Sequence, residues 1–264
     1  NILCYGDSNT WGFMPKKLRP EVMANNRYPW GVRWTSLLQM KLGHEDYRIL
    51  EDGFNGRTTL FEDPMDPWRN GLEFIDPCMI RNMPVDMVIL MLGTNDEYWT
   101  VDAVKNYMYG IPGEERITYV PNAGHSLGDR KAVASSLEAF FHHTIHGRKY
   151  PSCQSELVEK DGQFQLQLKT GRGELLSAQL WQAESQTKDF RKCTFAPIDL
   201  PLPTSKKFTV PVSLPQKGYK AFFVMLTYKH PAGYDSFTLC TRMYTADTTM
   251  VFDSPYEVPE GMFQ

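Results

Sequence analysis

The stretch Asn1-Ile2-Leu3-Cys4-Tyr5-Gly6-Asp7-Ser8-Asn9-Thr10-Trp11-Gly12 (NILCYGDSNTWG) decides how the rest of the chain is read. A short apolar run, Ile2 to Tyr5, enters a Gly-Asp-Ser-Asn turn, the arrangement by which a buried strand delivers a serine to a sheet edge. A serine hydroxyl is a weak nucleophile at neutral pH and needs a positioned base to take its proton. The tetrahedral oxyanion it would create needs donors already aimed at it. Ser8 therefore raises two questions: which groups supply those donors, and which supplies the base. In the blander reading, Asp7 only braces the turn.

Outward from Ser8, strand and helix signals alternate up to residue 96. Trp30, Trp34, Leu37, Leu38 and Leu42 recur at helical spacing and predict one apolar helix face. Tyr47–Glu51 reads as a short strand entering the turn Asp52-Gly53-Phe54-Asn55-Gly56. Met87–Leu92 (MVILML) is a continuous apolar run, as expected of a strand covered on both faces, and it ends at Gly93-Thr94-Asn95-Asp96. Strands separated by helical connections imply a parallel sheet with right-handed crossovers, with ligands beyond the carboxyl ends of the strands. Ser8, Gly56, Asn95 and Asp96 all fall just past such ends. The backbone N–H groups of Ser8 and Gly56 and the side-chain amide of Asn95 form a candidate oxyanion hole.

Beyond Asp96 the pattern stays α/β: a helix over Val101–Tyr109, a strand over Arg116–Val120 (RITYV) ending before His125, and a helix over Lys131–His146 with Asp129 or a neighbour as cap. Near Gly147–Pro151 the texture changes to short alternating runs such as Phe164–Leu168 and Ala221–Tyr228 between Pro, Gly and Lys turns. This predicts an α/β domain over 1–150 and an all-β sandwich over 151–264. Trp181, Phe190, Phe222, Phe223 and Tyr228 are assigned to the sandwich core.

Composition narrows the partners. Hydrophobic residues make up 42% and charged residues 22% of the 264, and the net charge of −3 offers no broad attraction for nucleic acid or an anionic membrane. No stretch approaches the roughly 20 apolar residues of a membrane-crossing helix. Neither a phosphate-binding glycine loop nor a zinc-type Cys/His grouping is present, so no cofactor and no metal is expected. His142, His143 and His146 share one helix, but no carboxylate or cysteine joins them at ligand spacing, and a solvated helix face is expected. Five dispersed cysteines read as free, buried thiols in a reducing compartment. The chain opens directly in a strand with no leader, and a cytoplasmic location is expected.

GDSNTWG, VRWTSLL, EDGFNGRTT, DPWRNG and PVDMVILMLGTND, in that order over residues 1–96, resemble the SGNH (GDSL-type) hydrolases, in the branch of small arylesterases and acyltransferases. The resemblance implies a flavodoxin-like three-layer α/β/α fold with strand order 2-1-3-4. It also implies Ser8 as nucleophile, Gly56 and Asn95 completing the oxyanion hole, and a small carboxylic ester as substrate. The family's late Asp-x-x-His is missing, since none of the six histidines has an aspartate three residues earlier.

From residue 91 to about 250 a second resemblance takes over. GTNDEYWTVDAVKNYMYGIPGEERITYVPNAGHSL, then AQLWQAESQTKDFR and GYKAFFVMLTY, look like the PhoPQ-activated pathogenicity-related proteins, which resemble α/β-hydrolases with an appended β-sandwich. That pattern implies Asp96 as triad acid and His125 as base. Without the resemblance, Asn95-Asp96 is a turn after a strand and His125 merely begins a loop. The two patterns overlap at MLGTND (91–96), so the chain reads as a fusion of two hydrolase fragments. A strand at 116–120 added in parallel beside 87–92 would bring His125 out at the same sheet edge as Ser8. The expected activity is ester hydrolysis through an acyl-enzyme on Ser8. The alternative is a catalytically impaired fusion whose sandwich serves as a binding module. Each fragment was shaped to pack against elements that are missing here, so self-association is expected. Coding DNA read across codons 91–96 in an independent isolate tests the join: the fusion predicts the string as given, and an uninterrupted SGNH sequence there would refute it.

Overall fold

The computed structural model describes residues 1–14, 26–57, 69, 71–84, 87–111, 113–128, 130–233 and 236–256. By contacts the chain divides into two compact units, Asn1–Val85 and Asp86–Gln264.

In the first unit, strand β1 (Ile2–Gly6) pairs in parallel with β2 (Ile49–Gly53), from Ile2↔Ile49 to Gly6↔Gly53. One-turn helix α1 (Ser8–Trp11) starts directly after β1, with the Asp7 side chain accepting from the Asn9 N–H at 2.8 Å and Gly12 closing it at φ 84°. This helix lies almost in contact with the strand ends. A Cβ on Gly53 would stand 2.2 Å from the Trp11 nitrogen and 2.5 Å from the Thr10 carbonyl carbon. Helices α2 (Trp34–Leu42) and α3 (Gly71–Arg81) complete the unit. Glu51 in β2 ties it together: Arg33 binds its carboxylate at 2.8 Å, Arg27 at 3.2 Å, and the Thr35 hydroxyl also donates to it.

In the second unit, β3 (Met87–Gly93) and β4 (Glu114–Val120) pair in parallel over seven residues, Met87↔Glu114 to Gly93↔Val120. Between them lie α4 (Val104–Tyr107) and a short 3-10 turn, and after β4 comes α5 (Arg130–Ile145). The strands β5 (Cys153–Lys160), β6 (Gln163–Thr170), β7 (Leu175–Ser185), β8 (Ala196–Leu200), β9 (Lys207–Val212), β10 (Tyr219–Lys229), β11 (Ser236–Cys240), β12 (Tyr244–Ala246) and β13 (Val251–Phe252) follow. β5, β6 and β9 form a three-stranded antiparallel sheet. The remaining strands join β3 and β4 in an eight-stranded sheet, where β4 meets β11 at Ile117↔Cys240 and β10 lies between β11 and β7.

β10 explains why that sheet is buried on both faces. Its period of two sends Phe222, Val224 and Leu226 into one cluster with Leu166, Leu168, Val210 and Val212 of the three-stranded sheet. Ala221, Phe223 and Met225 point the other way, into a cluster with Leu92, Val104, Ile117 and Tyr119. Full burial of each large side chain contributes about 1.5–3 kcal/mol.

The α/β class is present, but a single flavodoxin-like parallel sheet is not seen: β1 and β2 make a two-stranded parallel sheet, while β3 and β4 belong to the mixed eight-stranded one. β4 gives its second edge to antiparallel β11, so the sheet that holds β3 and β4 is mixed rather than wholly parallel. Contacts group β3 and β4 with the later strands, with which they share a sheet and a core. Asp129, expected as a helix cap, lies outside the described residues, as does most of DPWRNG (66–71). All five cysteines are free, and burial pushes the thiols of Cys4, Cys153 and Cys240 up to about 12. Among the described residues no helix is long and apolar enough to cross a membrane.

Gly53→Ala should destabilise the first unit by about 1–3 kcal/mol, because the added methyl meets backbone atoms that cannot swing away. Urea unfolding followed by tryptophan fluorescence measures it.

Candidate active site

Asp96 and His125 come together because the ends of β3 and β4 are bonded past their last paired residues. The Thr94 N–H donates to the Val120 carbonyl (3.2 Å), the Asn95 N–H to the Ala123 carbonyl (2.9 Å), and the Asn122 N–H to the Thr94 hydroxyl (2.7 Å). Gly93 permits this approach. A Cβ there would lie 2.4 Å from the Ala123 oxygen and 2.5 Å from the Gly124 oxygen. A side chain at 93 would push the histidine loop off the strand end.

The result is a carboxylate–imidazole pair. His125 Nδ1 is 3.0 Å from Asp96 Oδ2, and the other carboxylate oxygen accepts the Tyr98 N–H at 2.9 Å. The Asp96 side chain is 2% exposed and that of His125 is 18% exposed, so the acid lies behind and the ring in front. The His125 backbone is held as well: its N–H donates to Glu97 Oε2 at 3.2 Å. Tyr98 and Trp99 set their rings edge-on to the imidazole, with centroids 4.7 and 5.3 Å away. A carboxylate accepting from Nδ1 fixes the tautomer and makes Nε2 the basic nitrogen, the arrangement of a general base.

Of the other sequence-derived candidates, Ser8 and Gly56 belong to the first unit and Asn95 to the second. Ser8 opens α1 in the first unit, and its carbonyl accepts the N–H groups of Gly12 (2.9 Å) and Phe13 (2.8 Å). Gly56, also in the first unit, sits in a turn at φ 77°, a backbone state suited to glycine. Asn95 belongs to the second unit, and its amide nitrogen donates to the carbonyls of Cys193 (2.6 Å), Phe190 (3.1 Å) and Arg191 (3.3 Å). To donate to an oxyanion it would first have to release them. Its oxygen accepts the Thr94 hydroxyl at 2.7 Å. Asn122 plays a parallel part, exchanging two hydrogen bonds with the backbone of Phe195 (2.7 and 3.0 Å).

Glu97 and Tyr98 were not singled out from sequence; only their position directly after Asp96 pointed to them. The His142 and His146 rings lie 4.4 Å apart and tilted by 57°, His143 bonds the Ala139 carbonyl, and among the described residues no group of three or more ligands could hold a metal.

Asn95→Ala should release the 190–193 segment, costing about 1–3 kcal/mol for the carbonyls left unpaired. Hydrogen exchange should show faster amides over residues 190–195 with little change in β5–β6.

Residues 65–191 match the family described as PhoPQ-activated pathogenicity-related protein. The match begins upstream of the MLGTND string. Among solved structures, the native aryl esterase of M. smegmatis is 43% identical over 36% of this chain and 42% of its own, with a TM-score of 0.30. Est24, a carbohydrate acetylesterase from Sinorhizobium meliloti, is 31% identical over 46% of this chain and 62% of its own, with a TM-score of 0.32. The chain thus spans less than two thirds of the length of either. No curated protein matches it. Parts of this chain are therefore similar to two groups: the PhoPQ-activated pathogenicity-related proteins over 65–191, and aryl and carbohydrate esterases over less than half its length.

Proposed function

We propose that the chain is a serine ester hydrolase in which the Asp96–His125 pair is the general base. The observation that carries this reading is the pair itself: a buried carboxylate whose two oxygens hold the imidazole and the Tyr98 N–H, behind a ring that stays partly open. A purely structural aspartate–histidine contact has no need of that ordering, whereas a base must reach its substrate. The nucleophile this reading assigns is Ser8, placed by the sequence at the head of a turn. In such a reaction the serine's proton passes to the general base as its oxygen attacks the ester carbonyl; the alkoxide or phenoxide leaves with that proton, and water activated by the base frees the acid from the acyl-serine. The backbone N–H groups of Ser8 and Gly56 are assigned to the oxyanion; Asn95 joins them only by giving up its carbonyls. Small carboxylic esters are the substrate class, on the likeness of residues 1–96 to SGNH enzymes. The same reading treats the chain as two hydrolase fragments joined within 91–96.

A fluorophosphonate probe tests the proposal, because it reports an activated serine whatever the ester. The intact protein should label, Ser8→Ala should not, and His125→Ala should lose aryl-acetate hydrolysis by on the order of 10⁴-fold or more while keeping its far-UV spectrum. Labelling that survives Ser8→Ala, or full activity in His125→Ala, would overturn the assignment. An intact protein that never labels would instead favour a silent fusion whose sandwich acts as a binding module.

A further inference from the structure

Helix α2 is packed with its polar side inward. Thr35 and Ser36 are 0% exposed and Gln39 is 3% exposed, while Trp34 (39%), Leu37 (43%) and Met40 (59%) face solvent. Of the apolar positions read from sequence, Trp30, Trp34 and Leu37 point outward, while Leu38 and Leu42 are half-buried. The inward face is fully engaged. Thr35 donates to Glu51, and Ser36 donates to the Arg33 carbonyl (2.7 Å) and accepts the Gly31 N–H (2.9 Å). The Gln39 amide donates to the carbonyls of Gly43 (2.5 Å) and Tyr47 (3.0 Å), and its oxygen accepts the Ile49 N–H (2.8 Å). Turning the helix to bury its apolar stripe would break all of these bonds at once, leaving buried groups of β2 and its approach unpaired. The orientation is therefore held by chemistry that has nothing to do with the stripe.

The preceding turn extends the patch. Trp30 is 55% and Val32 52% exposed, and Gly31 lies against the Met40 sulfur, 4.0 Å from where its Cβ would be. The neighbouring cation Arg33 binds Glu51 and the Tyr28 carbonyl while its guanidinium lies 5.8 Å from the Trp30 ring centroid, and Lys41 is exposed one turn beyond Leu37, so cations border the apolar side chains. A contiguous exposed apolar patch of this kind marks an interaction surface.

We propose that this face, Trp30, Val32, Trp34, Leu37 and Met40, is where a second copy of the chain docks, helix α2 against helix α2 about a two-fold axis. Two features favour a second copy. The five side chains present on the order of 500 Å² of apolar surface, so two copies would bury about 1,000 Å², the lower bound of a specific interface. A two-fold contact needs a patch complementary to itself, and an apolar stripe meets that condition.

Light scattering on the full chain over a hundredfold concentration range is the test. Twice the monomer mass is expected, falling to the monomer mass in Leu37→Glu/Met40→Glu, whose substitutions sit on solvent-exposed positions and leave the fold's hydrogen bonds intact. Leu176→Glu/Leu202→Glu, at exposed positions of the second unit, should leave the mass unchanged. Tryptophan emission should shift to the red on dilution of the parent protein, as Trp30 and Trp34 are uncovered. A monomer at every concentration would overturn the proposal, whether its emission is red (nothing covers the patch) or already blue (the chain's own residues cover it). A dimer insensitive to Leu37→Glu/Met40→Glu would overturn it too.

Discussion

The second unit depends on the close passage of the Ala123–Gly124 backbone over Gly93. β3 and β4 run parallel in unbroken register, so both strands release their chains at the same end of the sheet. Only a residue without a side chain lets those two exits touch. Once they touch, the Asn95 and Asn122 backbones are bonded across the gap, and Asp96 and His125, 29 residues apart in the chain, are brought to 3.0 Å.

The same strand ends have a second role. Asn95 and Asn122 reach nearly a hundred and more than seventy residues along the chain to hold the backbone of 190–195. The segment carrying the candidate acid and base is therefore fastened to the sandwich by side-chain amides as well as through the sheet. A buried Asp102–Lys105 pair at 2.9 Å adds a third fastening: Asp102 also accepts from Thr245 (2.7 Å) and Tyr256 (3.0 Å). The partners hold the Asp102 carboxyl below its ordinary value although burial alone would raise it. That stabilisation is present above the ordinary carboxylate range and is lost as pH falls through the lowered folded-state value.

In the first unit the dominant constraint is polar. Glu51 gathers two arginines and a threonine, and Gln39 bridges three backbone groups. These bonds, rather than apolar burial, orient α2, which is why its hydrophobic spacing misleads. Periodicity locates the apolar face of a helix, but it does not say which face the neighbouring strand will accept when that strand offers a carboxylate and free N–H groups.

Sequence alone determined what is local: the strand entering Gly6-Asp7-Ser8, the apolar run 87–92, the parallel neighbour at 116–120, and the alternation that makes 219–229 a strand buried on both faces. Asp96 and His125 were singled out by the resemblance of residues 91–250 to the PhoPQ-activated pathogenicity-related proteins, not by their position alone. Tertiary structure decided what depends on partners distant in the chain. β4 pairs with β11 and so draws the α/β segment into the sandwich sheet, the Asn95 amide goes to the 190–193 carbonyls, and α2 and the turn before it present Trp34 and Trp30 outward. Spacing encodes which side chains share a face, whereas the atom that meets that face is supplied by another part of the chain, and only folding brings it there.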